Sequence, residues 1–152
     1  MHKRILLKLT GELFADEDKQ GIDFPTVERI AGKIAYLKNT YKIDLAIVVG
    51  GGNIFRGRNL VDSKFDRQKA DFMGMTGTIL NGLALQGMLD LQGIESRVMS
   101  SLRINQVCEE YLNLRANAHL DTGKVIILVG GLGRPFSTTD TFSSAICRGT
   151  RL

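Results

Sequence analysis

Residues 45–57 read LAIVVGGGNIFRG, and this stretch decides the fold class. Leu45, Ala46, Ile47, Val48 and Val49 are continuously apolar and rich in β-branched side chains, and the run stops at three glycines. A strand with one wet face alternates apolar and polar residues, whereas a strand without alternation is covered on both faces. Such strands belong to parallel sheets with helices packed above and below. The run therefore argues for an α/β layered domain.

Working outward, the same character returns in the short runs from Ile5 to Leu7 and from Val125 to Val129. Between the first two, Val27, Ile30, Ile34, Leu37 and Tyr41 recur at steps of three and four, the spacing of one helix face. Asp23 and Pro25 just upstream supply cap and first-turn chemistry. A second helical pattern covers about residues 65–91, with Ala70, Met73, Ile79, Leu80, Leu83 and Leu89 among its apolar members. A third is expected over about residues 104–120, and residues 96–99 read as a short strand between them. Strands alternating with helices imply mostly parallel pairing and right-handed crossovers. With no internal repeat and only Pro25 and Pro135, residues 1–152 are expected to form a single domain.

Composition narrows the partners. Twenty Lys and Arg against sixteen Asp and Glu leave a net charge of +4, spread along the chain. That surplus argues weakly for anionic ligands and hardly at all for nucleic acid. Cys108 and Cys147 are far apart and belong to no C-x-x-C pair, while His2 and His119 are isolated. Reduced thiols are expected rather than a disulfide framework, and no metal-ligand set is visible. Lys8 interrupts the first apolar run early, and no segment approaches the ~20 apolar residues of a membrane span. A soluble, cytoplasmic protein is expected.

Ligands of open α/β sheets bind at the carboxyl ends of the strands, so the residues following each run carry the chemistry. After the first come Lys8, Leu9, Thr10, Gly11 and Glu12. They can set an ammonium and backbone amides beside a phosphate, or simply present a strand-end lysine to water. After the second, Gly50, Gly51 and Gly52 remove every Cβ from the turn, and Arg56 adds a planar donor suited to phosphoryl charge. A plain tight turn would read the same way. The P-loop pattern G-x-x-x-x-G-K-[ST] is nowhere in the chain, and Phe55 breaks G-x-G-x-x-G. After the third run come Gly130, Gly131, Leu132, Gly133, Arg134, Pro135, Phe136, Ser137, Thr138, Thr139 and Asp140. Thr138 or Thr139 could equally be a helix N-cap. Three glycine turns after three buried strands point together to an anion site.

The second helix carries Gly74, Gly77, Gly82 and Gly87, each costing about 1 kcal/mol relative to alanine in a helix interior. Close packing, including a subunit interface, is the expected cause. Asp71 falls early in this helix, where its carboxylate can accept from ribose hydroxyls or serve as a favourable charge near the helix start.

Taken in order, several segments resemble the bacterial uridylate kinases of the amino acid kinase superfamily. They are KRILLKLTGE at 3–12, GID at 21–23, VVGGGNIFRG at 48–57, ADFMGM at 70–75, LNGLALQ at 80–86 and KVIILVGGLGRPFSTTDT at 124–141. The resemblance implies a three-layer α/β/α sandwich with a mostly parallel central sheet, and transfer of the ATP γ-phosphoryl group to UMP to form UDP. It implies that Lys8, Leu9, Thr10, Gly11, Gly52 and Arg56 meet ATP. Gly51, Asp71, Leu132, Gly133, Arg134, Pro135, Phe136, Ser137, Thr138 and Thr139 would surround UMP. Lys8, Arg56 and Asp140 would form the catalytic set. Mg2+ is expected to enter with ATP, and a homo-oligomer, a hexamer in such enzymes, is implied.

The chain departs from that pattern at four places. Thr10 stands where serine is usual and keeps the hydroxyl. Leu132, Arg134 and Ser137 replace a threonine, an asparagine and a phenylalanine in the last loop. The chain also stops at Leu152, before the region that resembling enzymes use for the adenine and ribose of ATP. A uridine-nucleotide-binding fragment without turnover remains an alternative, as does another amino acid kinase acting on a carboxylate or carbamate. The pair D-x-M-G-M and T-T-D favours the uridylate kinase reading over the latter.

Overall fold

The computed structural model describes residues 4–56 and 64–134. Its centre is a five-stranded sheet of β1 (Arg4–Leu9), β2 (Asp44–Val49), β3 (Ser96–Ser100), β4 (Glu109–Glu110) and β5 (Val125–Val129). The strands lie in the order β1-β2-β5-β3-β4, and all four described ladders are parallel. Every residue of β2 and β5 is buried, as their unbroken apolar runs require.

Helices cover both faces. On one side lie α1 (Phe24–Tyr41) and α2 (Arg67–Leu91), whose Val27, Ile34, Ile79, Leu85 and Leu89 pack against Leu45, Ile47, Val125 and Ile127. On the other lies α3 (Asn113–Asp121), which sets Ala116 and Leu120 against Ala46, Val48, Met99, Ile126 and Leu128. Alternate residues of each strand thus serve opposite cores, giving the expected three-layer α/β/α sandwich.

The helix starts follow their local chemistry. Asp23 caps α1 by accepting from Thr26 N at 3.0 Å, with proline in the first turn, and Lys42 closes the helix in a left-handed conformation. Asp66 caps α2 by accepting from Gln68 N at 2.9 Å.

Three expectations need correction. The helix expected over 104–120 begins only at Asn113, and the residues before it form a turn and the edge strand β4. Ile104 and Cys108 pack on the α1 and α2 side of the sheet, whereas Ala116 and Leu120 pack on the opposite side. One straight helix cannot serve both faces, so the chain crosses the sheet edge between them. Lys8 lies inside β1, in register with Val48, rather than after the strand. Met73 and Leu80, at 44% and 47%, are exposed rather than in the core, and on α1 so are Leu37 and Tyr41.

Candidate functional site

Because β1, β2 and β5 are parallel neighbours, their carboxyl ends open side by side. The three glycine turns predicted separately from the sequence therefore meet at one edge of the sheet. Gly50 N donates to Leu9 O at 2.8 Å, which joins the first two turns. Gly11 begins a short 3-10 turn, Gly11–Phe14, packed directly on Gly52 and Asn53.

The amino-terminal half of α2 locks the second and third turns together. A Cβ on Gly51 would stand 2.6 Å from Gly74 O and 2.9 Å from Thr78 N, so nothing larger than glycine lets this turn approach the helix. The Thr78 hydroxyl donates to Met75 O at 2.6 Å and accepts from Gly130 N at 2.7 Å. Gly130 and Gly131 have φ values of 80° and 57°, a left-handed pair that turns β5 back towards α2. Ser101 Oγ lies 2.8 Å from both of their carbonyl oxygens, which share its single O–H donor.

Asp71 is the fifth residue of α2 and accepts from Arg67 Nε at 3.5 Å. Met75, one turn further along the same face, meets Gly131. Asp71 therefore stands one helical turn from the place where the β5 loop crosses α2. Leu132 packs partly buried against the α3-side core, whereas Arg134 is exposed. Lys8 is exposed at the end of β1, with Thr10 and Gly11 immediately beyond it. Pro135, Phe136, Ser137, Thr138, Thr139 and Asp140 lie outside the described residues, as does Gly57.

Arg56 turns back over the glycine triplet. Its Nε donates to Gly52 O at 3.0 Å, and its guanidinium pairs with Glu12. Lys19 Nζ approaches the other oxygen of Glu12 at 3.9 Å. Beside these groups opens a cleft of about 720 Å³.

Sequence reasoning missed two features here. One is Glu12, which shares both cations. The other is the buried pair Asn53 and Asn81. Each amide donates to the other's oxygen, at 3.0 and 2.7 Å, while Asn81 also donates to Gly50 O at 2.7 Å and Asn53 to Gly21 O at 2.6 Å. With all these groups satisfied, the pair fixes the triplet against α2 and against the loop that precedes α1. Asn53 within GGGN was the available signal, but nothing in the sequence names its partner.

Parallel strands that present converging glycine turns and flanking cations make up an α/β domain whose carboxyl end is suited to an anion. Residues 3–151 match the amino acid kinase family, and the chain belongs to that family. Within it, the chain is 44% identical over 140 residues to the uridylate kinase of Corynebacterium jeikeium (strain K411), covering 92% of this chain and 56% of that protein. It is 43% identical over 147 residues to the uridylate kinase of Rickettsia bellii (strain RML369-C), covering 97% and 60%. The crystal structure of UMP kinase from Bacillus anthracis superposes with a TM-score of 0.92 at 41% identity, over 99% of this chain and 62% of that one. The chain thus spans less than two thirds of each of these relatives.

Proposed function

We propose that this chain is the UMP-accepting and phosphate-cradling part of a UMP kinase, which transfers the γ-phosphoryl group of ATP to UMP in pyrimidine nucleotide synthesis. The observation that carries the reading is the meeting of three glycine turns at the ends of β1, β2 and β5, with α2 packed against two of them. Kinship with uridylate kinases supplies the substrate class.

In the reaction, a UMP phosphate oxygen attacks the γ-phosphorus, the bond to the β–γ bridging oxygen breaks, and ADP leaves. No nucleophilic side chain is needed, so the protein contributes positioning and neutralisation of charge. Lys8, Thr10, Gly11, Gly52 and Arg56 would face the ATP phosphates. Gly51, Asp71 and the 132–139 loop would hold UMP, and Asp140 would complete the catalytic set. Among the described residues no group of three His, Cys, Asp or Glu stands ready to ligate a metal ion. Glu12 is engaged with Arg56 and Lys19. Mg2+ would enter with ATP and neutralise phosphate charge. A cytoplasmic homo-oligomer fits the reading, and no helix among the described residues is long and apolar enough to cross a membrane.

One observation favours a second reading, binding without turnover. The chain spans 56% to 60% of the curated relatives, and the part of those proteins beyond the matched region is not represented in residues 1–152. The expected behaviour of residues 1–152 is detectable UMP binding with little UDP formation. A coupled UDP-forming assay beside a calorimetric UMP titration checks both. Robust ATP-dependent turnover would show that the donor side is complete, and a folded chain that binds no uridine nucleotide would defeat the acceptor reading.

A further inference from the structure

Glu12 sits in the short 3-10 turn that follows β1, and its two carboxylate oxygens face different cations. One pairs with the Arg56 guanidinium and the other lies 3.9 Å from Lys19 Nζ. The cations come from separate loops that are clamped together, because Gly21 N donates to Asn53 O at 2.9 Å and Asn53 Nδ2 returns a bond to Gly21 O. Lys19 itself holds a left-handed backbone, φ 56°, uncommon for a side-chain-bearing residue. The open cleft beside them is lined by Asp18, Lys19, Gly21, Gly52, Asn53 and Arg56.

We propose that Glu12, standing beside this cleft and spanning two cations that line it, Arg56 and Lys19, is their resident anion, and that a polyphosphate binds by taking its place. This rests on the reading of Gly52 and Arg56 as phosphate-cradling groups and adds two residues to it, Lys19 as a second phosphate cation and Glu12 as the internal competitor. A carboxylate and a phosphoryl group offer a guanidinium the same bidentate acceptor geometry, but the phosphate chain carries more charge. All three side chains are 40% to 65% exposed, so their ion pairs are weak in water and yield to a multiply charged ligand. Until then, Glu12 and the Gly52 carbonyl keep the guanidinium folded over the turn instead of trailing in solvent. A singly charged anion gains too little to displace Glu12, so the carboxylate also selects for ligands with several negative charges.

The test uses the 152-residue chain and inorganic tripolyphosphate, titrated calorimetrically into wild type, Glu12→Gln, Arg56→Gln and the double variant, with UMP titrated in parallel. Glu12→Gln is expected to bind tripolyphosphate about three- to fivefold more tightly, the range that an exposed ion pair allows. The gain should vanish when Arg56 is also replaced, and Lys19→Gln alone should bind more weakly than wild type. Should Glu12→Gln not fold, Glu12→Asp, too short to span both cations, should show the same tightening. Unchanged or weaker binding by the Glu12 variants, or a gain that survives loss of Arg56, overturns the proposal. Loss of UMP binding with the Glu12 effect intact would defeat the UMP reading alone and uphold this one. UMP binding with no Glu12 effect would do the reverse.

Discussion

Lys8 is the penultimate residue of β1, in register with Val48 and two residues before Thr10. Its proposed role is to meet the transferred phosphoryl group and stabilise the charge that a loose transition state shifts towards the leaving oxygen. In the chain completed to the length of its relatives, Lys8→Ala should therefore lower turnover about a hundredfold, roughly 3 kcal/mol, while UMP affinity hardly moves. Turnover within twofold of wild type would remove Lys8 from the catalytic set. Asp71 is assigned to the acceptor, and Asp71→Asn should weaken UMP more than ATP, because an amide replaces a charge-assisted acceptor only in part. Equal losses in the two titrations would return Asp71 to the part of a helix-start charge paired with Arg67. Lys8, Arg56 and Asp71 could be nominated from the sequence because each lies in or beside a motif that is read along the chain. Lys19 apart, the partners of Glu12, Asn53 and Asn81 lie 28 to 44 positions away, and no local pattern reveals which distant polar group a buried amide or a loop carboxylate will meet.

Among the elements, α2 carries most of the information that sequence left ambiguous. Its four glycines looked alike, yet the structure separates them. Gly77 lies against Gly51 O and Ile54, and a Cβ on Gly82 would stand 2.5 Å from Val129 Cγ1, while a Cβ on Gly74 or Gly87 would meet nothing within 4 Å among the described residues. Gly82→Ala should thus cost about 1–3 kcal/mol by forcing the helix off β5, whereas Gly87→Ala should stabilise by up to about 1 kcal/mol through helix propensity alone. Denaturant unfolding of the two variants checks the contrast, and similar effects from both would mean that α2 does not pack on the sheet as described. The apolar runs of β2 and β5 were readable because burial on both faces suppresses alternation. The two-residue strand β4 was not, since Glu109 and Glu110 carry no strand signature and pair only because Met99 and Ser100 offer them an edge.

At the scale of the whole molecule, the three layers and the meeting of glycine turns were foreseeable from the order of apolar runs, but the strand order was not. Parallel pairing does not say which runs become neighbours, and that is settled by long-range packing. The order β1-β2-β5-β3-β4 places β5, the latest strand along the chain among the described residues, between two that precede it. This has a kinetic meaning. Until residue 129 is available, β1 with β2 and β3 with β4 have no shared ladder, and α2 has no Val129 or Ile127 against which to seat Gly82. Each half alone is a two-stranded fragment with an apolar flank, below the size that holds together in water. Closing the sheet requires β5 to gather both halves around itself at once, a non-local step of the kind that slows folding and leaves early intermediates sticky. A nascent chain halted at Asp121 should accordingly be digested by protease without a resistant core. One halted well beyond β5 should acquire such a core in a single step, and the position of that threshold along the chain would report the moment at which β5 closes the sheet.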